Sequence, residues 1–224
     1  MIVQIYTTQT PEEGLALANA GVDYIGITPS SAGLPGEVTN EMAAKIVTAV
    51  GKRAVKVALS VESELNKIAA MVQQVKPDVL HLCGDVDLVP PAAVAELRRM
   101  LPGQKIMQAI AVMDKSAIEM ALAYQEVAEY LILDSKSEEV EGIGAAGFTH
   151  DWNISREIVR QSRIPVILAG GLSPENVAEA IRFVRPWGVD SLTLTNYPLG
   201  GGRFRKDLER VKQFVAAARE AARE

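Results

Sequence analysis

The amino-acid sequence predicts a single domain of the α/β class, a (β/α)8 TIM barrel that spans residues 1–224. Short apolar runs rich in β-branched residues alternate with amphipathic segments from one end of the chain to the other. Eight strand–helix units follow one another without a change in composition, and 224 residues over eight units leave about 28 residues for each. A doubly wound open sheet is the alternative, but it seldom needs eight strands in so compact a chain.

The predicted strands are short and mostly apolar, which is typical of parallel strands buried on both faces. In chain order they cover residues 3–7, 24–28, 54–61, 79–83, 105–112, 130–134, 165–169 and 188–195. Barrels of this kind carry their sites at the carboxyl ends of the strands, so the polar residues found there are the first candidates. They are Tyr6, Thr7, Thr28, Ser60, His81, Cys83, Gln108, Asp134, Thr195 and Asn196.

The predicted helices are recognised by their caps and by their apolar faces. They cover residues 11–20, 40–50, 62–75, 90–101, 115–127, 154–161, 174–184 and 206–222. Thr10 is the expected cap of the first helix and Gly21 ends it, while Thr39 or Asn40 caps the second. Residues 135–151 form the longest segment without a periodic apolar pattern, so we expect a long loop there.

Composition and charge argue against several classes of function. The net charge is −5 at pH 7 and Lys and Arg form no dense cluster, so we expect no nucleic-acid partner. No apolar run reaches about 18 residues, and the amino terminus shows no signal-peptide pattern, so we expect no membrane segment and a cytoplasmic location. The single cysteine, Cys83, fits a reducing compartment. The sequence has only two histidines, His81 and His150, which are few ligands for a metal site, and we expect no cofactor.

Residues 164–177 predict a binding site for an anion. An apolar strand ends at Gly170 and Gly171, and a helix starts directly afterwards. Such a turn exposes backbone N–H groups that suit a phosphate group, although glycines required only by a tight turn are the alternative. The loop after strand eight carries a second glycine run at residues 200–202, and loops seven and eight jointly form the usual phosphate site of these barrels. The expected phosphate ligands are Gly170, Gly171, Thr195 and Asn196.

Asp134 is the strongest candidate for proton transfer. It ends an apolar strand at the rim of the barrel, where the pKa of a carboxyl group can be tuned for acid–base work; a structural acid that caps the loop is the alternative. His81 and Cys83 lie two residues apart on one strand and share a face, so they either assist in proton transfer or pack inside the barrel. Tyr6 ends strand one, where packing is the usual alternative to catalysis.

Several motifs of the second half of the chain occur in the same order in a known family. They are Leu133-Asp-Ser-Lys136, Gly142-Ile-Gly144 and the segments at residues 148–152 (Phe-Thr-His-Asp-Trp), 169–177 (Ala-Gly-Gly-Leu-Ser-Pro-Glu-Asn-Val) and 185–190 (Arg-Pro-Trp-Gly-Val-Asp). The chain thereby resembles the phosphoribosylanthranilate isomerase family over nearly its whole length. The resemblance implies an Amadori rearrangement of a phosphorylated aminoaldose, with Asp134 as the general acid.

Four segments depart from the family pattern, and one of them is strand four, which carries His81 and Cys83 where the family has a Gln and a His. The family's general base is a cysteine on strand one, where this chain has Tyr6, and a tyrosine with an ordinary pKa near 10 is a poor base at neutral pH. The loop at residues 30–35 lacks the arginine that the resemblance implies for the anthranilate carboxylate, and residues 192–196 replace a Ser-Gly pair and a following acid. We therefore expect little or no activity on phosphoribosylanthranilate itself.

These observations favour an aldose–ketose isomerase for a phosphorylated sugar derivative other than, or in addition to, phosphoribosylanthranilate. Asp134 is the expected acid or base, and His81, Cys83 or Tyr6 the expected second group. The expected partner is a small phosphorylated metabolite, and we expect a monomer or a homodimer. A non-catalytic barrel that binds a phosphorylated metabolite in a regulatory role is the alternative, and a metal-dependent epimerase is a weaker third. The observation that separates the enzyme from the binding protein is whether Asp134 faces an enclosed pocket with a second titratable group within reach, which favours an enzyme.

Overall fold

A computed structural model describes residues 1–136, 142–144 and 149–224 of the chain. Eight parallel strands form a closed barrel in which each strand pairs with the next along the chain and the last pairs with the first. The strands are β1 Ile2–Ile5, β2 Tyr24–Ile27, β3 Val55–Ser60, β4 Val79–Leu82, β5 Lys105–Ala111, β6 Tyr130–Asp134, β7 Val166–Leu168 and β8 Gly188–Ser191. The predicted (β/α)8 fold is confirmed.

A helix follows each barrel strand and packs on the outside of the barrel. The helices are α1 Pro11–Asn19, α2 Asn40–Val50, α3 Leu65–Val75, α4 Pro91–Met100, α5 Ser116–Tyr124, α6 Trp152–Gln161, α7 Val177–Val184 and α8 Leu208–Ala221. Thr10 and Thr39 cap α1 and α2 as predicted, because each hydroxyl accepts a backbone N–H of the first turn. No helix in the described part of the chain is long and apolar enough to cross a membrane.

The core has two layers, one between strands and helices and one inside the barrel. Val57, Met107 and Ile167 fill the middle of the barrel, so the interior is packed and is not a channel. Tyr24 and Tyr130 pack edge to face at the amino-terminal end, with ring centroids 6.2 Å apart. The polar pocket described below lies at the opposite end, where the strands finish.

Two predicted boundaries in the last quarter are wrong. Strand β8 ends at Ser191, and residues 193–195 form a single 3-10 turn in which the Thr195 hydroxyl donates to the carbonyl of Leu192. The segment at 196–206 is an antiparallel hairpin with strands β9 Asn196–Gly200 and β10 Arg203–Lys206. Its tip consists of three glycines with positive φ, which explains why the sequence reads as a loop.

Helix α7 begins at Val177 and not at residue 174. The Ser173 hydroxyl accepts the N–H of Glu175, while the Asn176 side chain accepts the N–H of Ser173 and donates to the carbonyl of Gly171. These bonds hold residues 174–176 in a turn ahead of the helix. Phe148, which belongs to one of the recognised motifs, lies outside the described residues.

Candidate active site

The carboxyl ends of the strands surround a pocket that contains most of the predicted catalytic residues. Asp134, His81, Cys83 and Tyr6 all line it. The remaining lining residues are Thr7, Thr28, Leu34, Pro35, Leu59, Val61, Ile132, Ile143, Gly144, Asp190 and Leu192. Sequence reasoning therefore placed the four proton-transfer candidates in one place, although it could not show that Asp190 joins them.

Asp134 has the electrostatic environment of a proton-transfer group. Burial raises the pKa of its carboxyl group to about 7, and the hydrogen bond from the Ser135 N–H to Oδ1, at 2.7 Å, only partly opposes that shift. Gly144 lies so close that a Cβ atom there would be 2.7 Å from Asp134 Oδ2. A carboxyl group in this state can both give and take a proton near neutral pH.

Tyr6, His81 and Cys83 form a continuous hydrogen-bonded chain. The Tyr6 hydroxyl lies 2.8 Å from His81 Nδ1, and His81 Nε2 lies 3.0 Å from Cys83 Sγ. Burial lowers the pKa of His81 to about 3 and raises the pKa values of Tyr6 and Cys83 well above their usual range. All three groups are therefore uncharged at neutral pH, and neither the phenol nor the thiol is activated as a base.

Asp190 is the main residue of the pocket that sequence reasoning missed. Its side chain is 5 % exposed, and its Oδ1 atom has no hydrogen-bond partner among the described residues. Burial, followed by the charge of Asp134, raises the pKa of Asp190 to about 8. The sequence does show an acidic residue in the eighth strand. Because that strand was predicted to continue to residue 195, Asp190 was not placed at its carboxyl end.

Lys206 is a second residue that the sequence did not indicate. Burial lowers the pKa of its ammonium group to about 7. Its Nζ atom donates to the carbonyl oxygen of Tyr6 and, at 2.6 Å, to Oδ1 of Asn196. Lys206 thereby fastens the β9–β10 hairpin to the end of β1, and the Asn196 amide oxygen is engaged within the protein.

The glycine turn directly follows β7, and its two glycines are not among the residues that line the pocket. Gly170 and Gly171 have φ values of 80° and 60°, which favour glycine over other residues. A Cβ atom on Gly170 would lie 2.7 Å from Ser135 Oγ and 2.9 Å from His150 Nδ1. Neither glycine N–H donates a hydrogen bond to another described residue, which leaves both available to a ligand.

Loops seven and eight meet, as the phosphate-site prediction requires. The Ser191 hydroxyl donates to the carbonyl of Leu172 at 2.7 Å, and the Arg210 guanidinium pairs with Glu175 at 2.8 Å. The hydroxyl of the fully buried Thr195 is bonded inside its own turn. The role of Thr195 and Asn196 as phosphate ligands therefore stays a prediction, and the structure engages both side chains elsewhere.

The histidines lie apart and serve different contacts. His150 bonds the Ser155 hydroxyl through Nε2 at 2.7 Å and the Ser135 hydroxyl through Nδ1 at 3.3 Å, whereas His81 belongs to the chain described above. Within the described ranges, no three His, Cys, Asp or Glu side chains are arranged to hold a metal ion. The pocket thus offers proton transfer and hydrogen bonding as its chemistry.

Comparisons with known proteins agree on one family. The family described as N-(5'-phosphoribosyl)anthranilate (PRA) isomerase matches residues 3–217. The N-(5'-phosphoribosyl)anthranilate isomerase of Methanocella arvoryzae is 35% identical over 217 residues, covering 97% of both chains. That of Haloferax volcanii is 33% identical over 95% of this chain and 90% of its own.

Several solved structures with the same barrel are phosphoribosyl anthranilate isomerases. The phosphoribosyl anthranilate isomerase of Thermotoga maritima superposes with a TM-score of 0.79 at 26% identity, covering 98% of this chain and 100% of that one. The enzyme of Thermococcus kodakaraensis gives a TM-score of 0.77 at 26% identity, covering 97% and 98%. The similarity therefore extends over the whole barrel and is not confined to the glycine turn after β7.

Proposed function

The chain belongs to the N-(5'-phosphoribosyl)anthranilate isomerase family, and from this premise we propose that it converts a phosphorylated aminoaldose into the corresponding ketose with Asp134 as a proton-transfer residue. One observation carries the proposal: Asp134 faces a pocket that holds other titratable side chains within the same space. The binding-only alternative predicts no such group beside the acid. The pocket therefore favours catalysis over a purely regulatory role.

The chemistry of this rearrangement suits the groups present. An aminoaldose opens its ring when the ring oxygen is protonated, and it becomes a ketose when a proton leaves C2 and another reaches C1. Only proton transfers are needed, and a carboxyl group with a pKa of about 7 is matched to them at neutral pH. The neutral Tyr6–His81–Cys83 chain contributes hydrogen bonds to the sugar without adding charge to the pocket.

The lining of the pocket also bears on the substrate. Among its described lining residues none is Arg or Lys, so a carboxylate on the non-sugar part of the substrate meets no positive charge there. Asp134 and Asp190 add negative charge nearby when they ionise. We therefore propose that the preferred substrate carries an uncharged group on its nitrogen, and that phosphoribosylanthranilate is a poor substrate.

A comparison of two related substrates tests this assignment. Purified protein is assayed with phosphoribosylanthranilate and with phosphoribosylaniline, which lacks only the carboxylate. We expect kcat/KM to be at least about tenfold higher for phosphoribosylaniline, because its ring places no unpaired carboxylate beside Asp134 and Asp190. A preference for phosphoribosylanthranilate would contradict the proposed specificity. So would robust growth of a tryptophan auxotroph without its own isomerase when this protein is supplied at its native expression level. Absence of turnover with both compounds counts against the isomerase itself.

The phosphate group is proposed to bind the N–H groups of Gly170 and Gly171. Replacing Gly170 by alanine forces a side chain into a left-handed backbone conformation and against Ser135 and His150. We expect KM for phosphoribosylaniline to rise about tenfold with a smaller change in kcat, since phosphate binding is shared by the ground and transition states.

Gly103→Ala is the matched control for that substitution. Gly103 has a φ of 85° with open space around the Cβ position and lies at the opposite end of the barrel. It should cost stability without changing KM. An equal effect of both variants on KM would show that backbone strain, and not the phosphate site, is responsible.

We further propose that the enzyme works in the cytoplasm without a cofactor, as a monomer or a homodimer. A single buried cysteine and a mechanism built on proton transfer alone support this assignment. The proposed small-molecule partner is the phosphorylated aminoaldose.

A further inference from the structure

We propose that Asp190 is the second proton-transfer residue of this site, and that it works with Asp134 across the mouth of the barrel in place of a base on strand β1. The inference rests on the proposed isomerase function and names the partner that Asp134 needs. A single carboxyl group can give or take a proton, whereas the rearrangement requires one group of each kind at the start of the cycle.

The position of Asp190 follows from the sheet. Strand β8 pairs with β1 so that Asp190 lies opposite Gln4, and both side chains are buried in the barrel. The carboxyl group lines the same pocket as Asp134, which projects from β6. By hydrogen-bond geometry Asp190 Oδ1 has no partner among the described residues, and the Gln4 amide is the neighbouring polar group that favours its charged form. Buried polar atoms without partners are uncommon, and here the carboxyl group faces the space a substrate would occupy.

The other titratable groups of the pocket are less suited to the role. The Tyr6 phenol and the Cys83 thiol hold their protons because burial opposes their charged forms. Both ring nitrogens of His81 are occupied by the hydrogen bonds to Tyr6 and Cys83. The ammonium group of Lys206 donates to the Tyr6 carbonyl and to Asn196, and Lys206 is not among the residues that line the pocket. Two carboxyl groups remain.

The two carboxyl groups influence each other through their charges. Asp134 and Asp190 both resist ionisation because of burial, and the charge of Asp134 makes ionisation of Asp190 still harder. Lys206 is the cation that faces Asp190 and opposes this effect, while Tyr6 and Cys83 stay neutral. Near neutral pH Asp134 therefore ionises first and Asp190 keeps its proton, so the pocket holds one ionised and one protonated carboxyl group.

The proton balance of the reaction closes with this pair. The protonated carboxyl group gives its proton to the ring oxygen as the bond from C1 to that oxygen breaks, which leaves a protonated imine between C1 and nitrogen. The ionised carboxylate takes the proton from C2, and the electron pair forms the C1–C2 double bond and neutralises the nitrogen. The enol hydroxyl then returns a proton to the first carboxylate as C2=O forms, and the second carboxyl group delivers its proton to C1. The substrate is isomerised and the pair is restored.

Asp190→Asn tests the proposal, because asparagine keeps the shape and removes the titration. With phosphoribosylaniline we expect kcat to fall at least about a hundredfold with little change in KM. The bell-shaped pH profile of the wild-type enzyme should lose one limb, an effect that a merely structural role would not produce. Asp190→Glu should recover part of the activity. Asp114→Asn, an exposed aspartate on the same face outside this pocket, serves as the matched control and should leave the profile unchanged.

A second measurement needs no turnover. Titration of the aspartate carboxyl carbons by NMR, in protein labelled at those carbons, should show Asp190 ionising at lower pH in Asp134→Asn than in the wild type, because the charge of Asp134 that opposes its ionisation is gone. An unchanged Asp190 titration in Asp134→Asn, or an Asp190→Asn enzyme within threefold of wild-type kcat and with both limbs intact, would overturn the role of Asp190. A wild-type protein in which the two titrations are coupled but neither substrate reacts would instead count against the isomerase function.

Discussion

Asp134→Asn is expected to lower kcat for the isomerase reaction about a thousandfold while KM changes by less than about threefold. The amide has the size of the carboxyl group and can still accept the Ser135 N–H, so the loop after β6 should keep its conformation. It cannot release or take up a proton in the pH range of the reaction. The loss should therefore appear in the chemical step and not in substrate binding.

Steady-state kinetics with phosphoribosylaniline, together with a thermal melt of the same preparation, measure this effect. Asp114→Asn removes an exposed carboxylate from the same end of the barrel and is expected to retain wild-type kcat. An Asp134→Asn variant with kcat within about fivefold of wild type would show that general acid–base catalysis does not depend on this residue. A large rise in KM with unchanged kcat would assign Asp134 to binding.

Asp134 could be predicted from the sequence because its signals are local. An apolar run of four residues ends in an acid. In a parallel barrel, a residue at the carboxyl end of a strand lies at the end of the barrel that carries the active site. The shared face of His81 and Cys83 follows in the same way from the two-residue period of a strand. Their placement in one pocket with Tyr6 then needed only the barrel closure.

Asp190 was missed because the end of β8 is decided by distant contacts. Residues 192–195 alternate leucine and threonine and read as a continuing strand, but the Thr195 hydroxyl bonds to Leu192 and turns the chain. The Ser191 hydroxyl bonds at the same time to loop seven, which lies 19 residues earlier in the chain. With the strand extended to residue 195, the polar end of β8 was placed at Thr195 and Asn196 and not at Asp190.

Lys206 escaped prediction for a related reason. As the expected first residue of the last helix it would be solvated, and lysine is seldom buried. The hairpin at 196–206 folds back over the end of β1 and carries Lys206 into contact with the Tyr6 carbonyl. A glycine run with a neighbouring arginine does not predict a hairpin, and the strands of this hairpin are short and largely exposed, so they lack a buried apolar pattern.

Asp190→Asn is expected to raise the free energy of unfolding at pH 7 by about 2–4 kcal/mol, even as it removes activity. The pKa of Asp190 is raised from 3.8 to about 8, so between these values the folded protein holds a proton that the unfolded chain releases. Stability must therefore fall as the pH rises through this window, and each tenfold change in the ionisation constant corresponds to about 1.4 kcal/mol. Asparagine does not titrate and avoids this loss.

Urea unfolding of the wild type and of Asp190→Asn at pH 4, 5.5 and 7 provides the measurement. The difference in unfolding free energy should be small at pH 4, close to the unfolded pKa of 3.8, and should grow steadily towards pH 7. The depressed pKa values of His81 and His150 make both proteins less stable as the pH falls below about 6.5, and they largely cancel in the difference. Lys206 affects stability with the opposite sign to Asp190. The pKa of Lys206 is lowered to about 7, so its contribution to stability rises with pH between 7 and 10.5, above the range used.

A difference in unfolding free energy that is independent of pH would mean that Asp190 ionises normally in the folded protein. A difference that grows with pH would show that the carboxyl group opposes folding, as expected of a group retained for its chemistry.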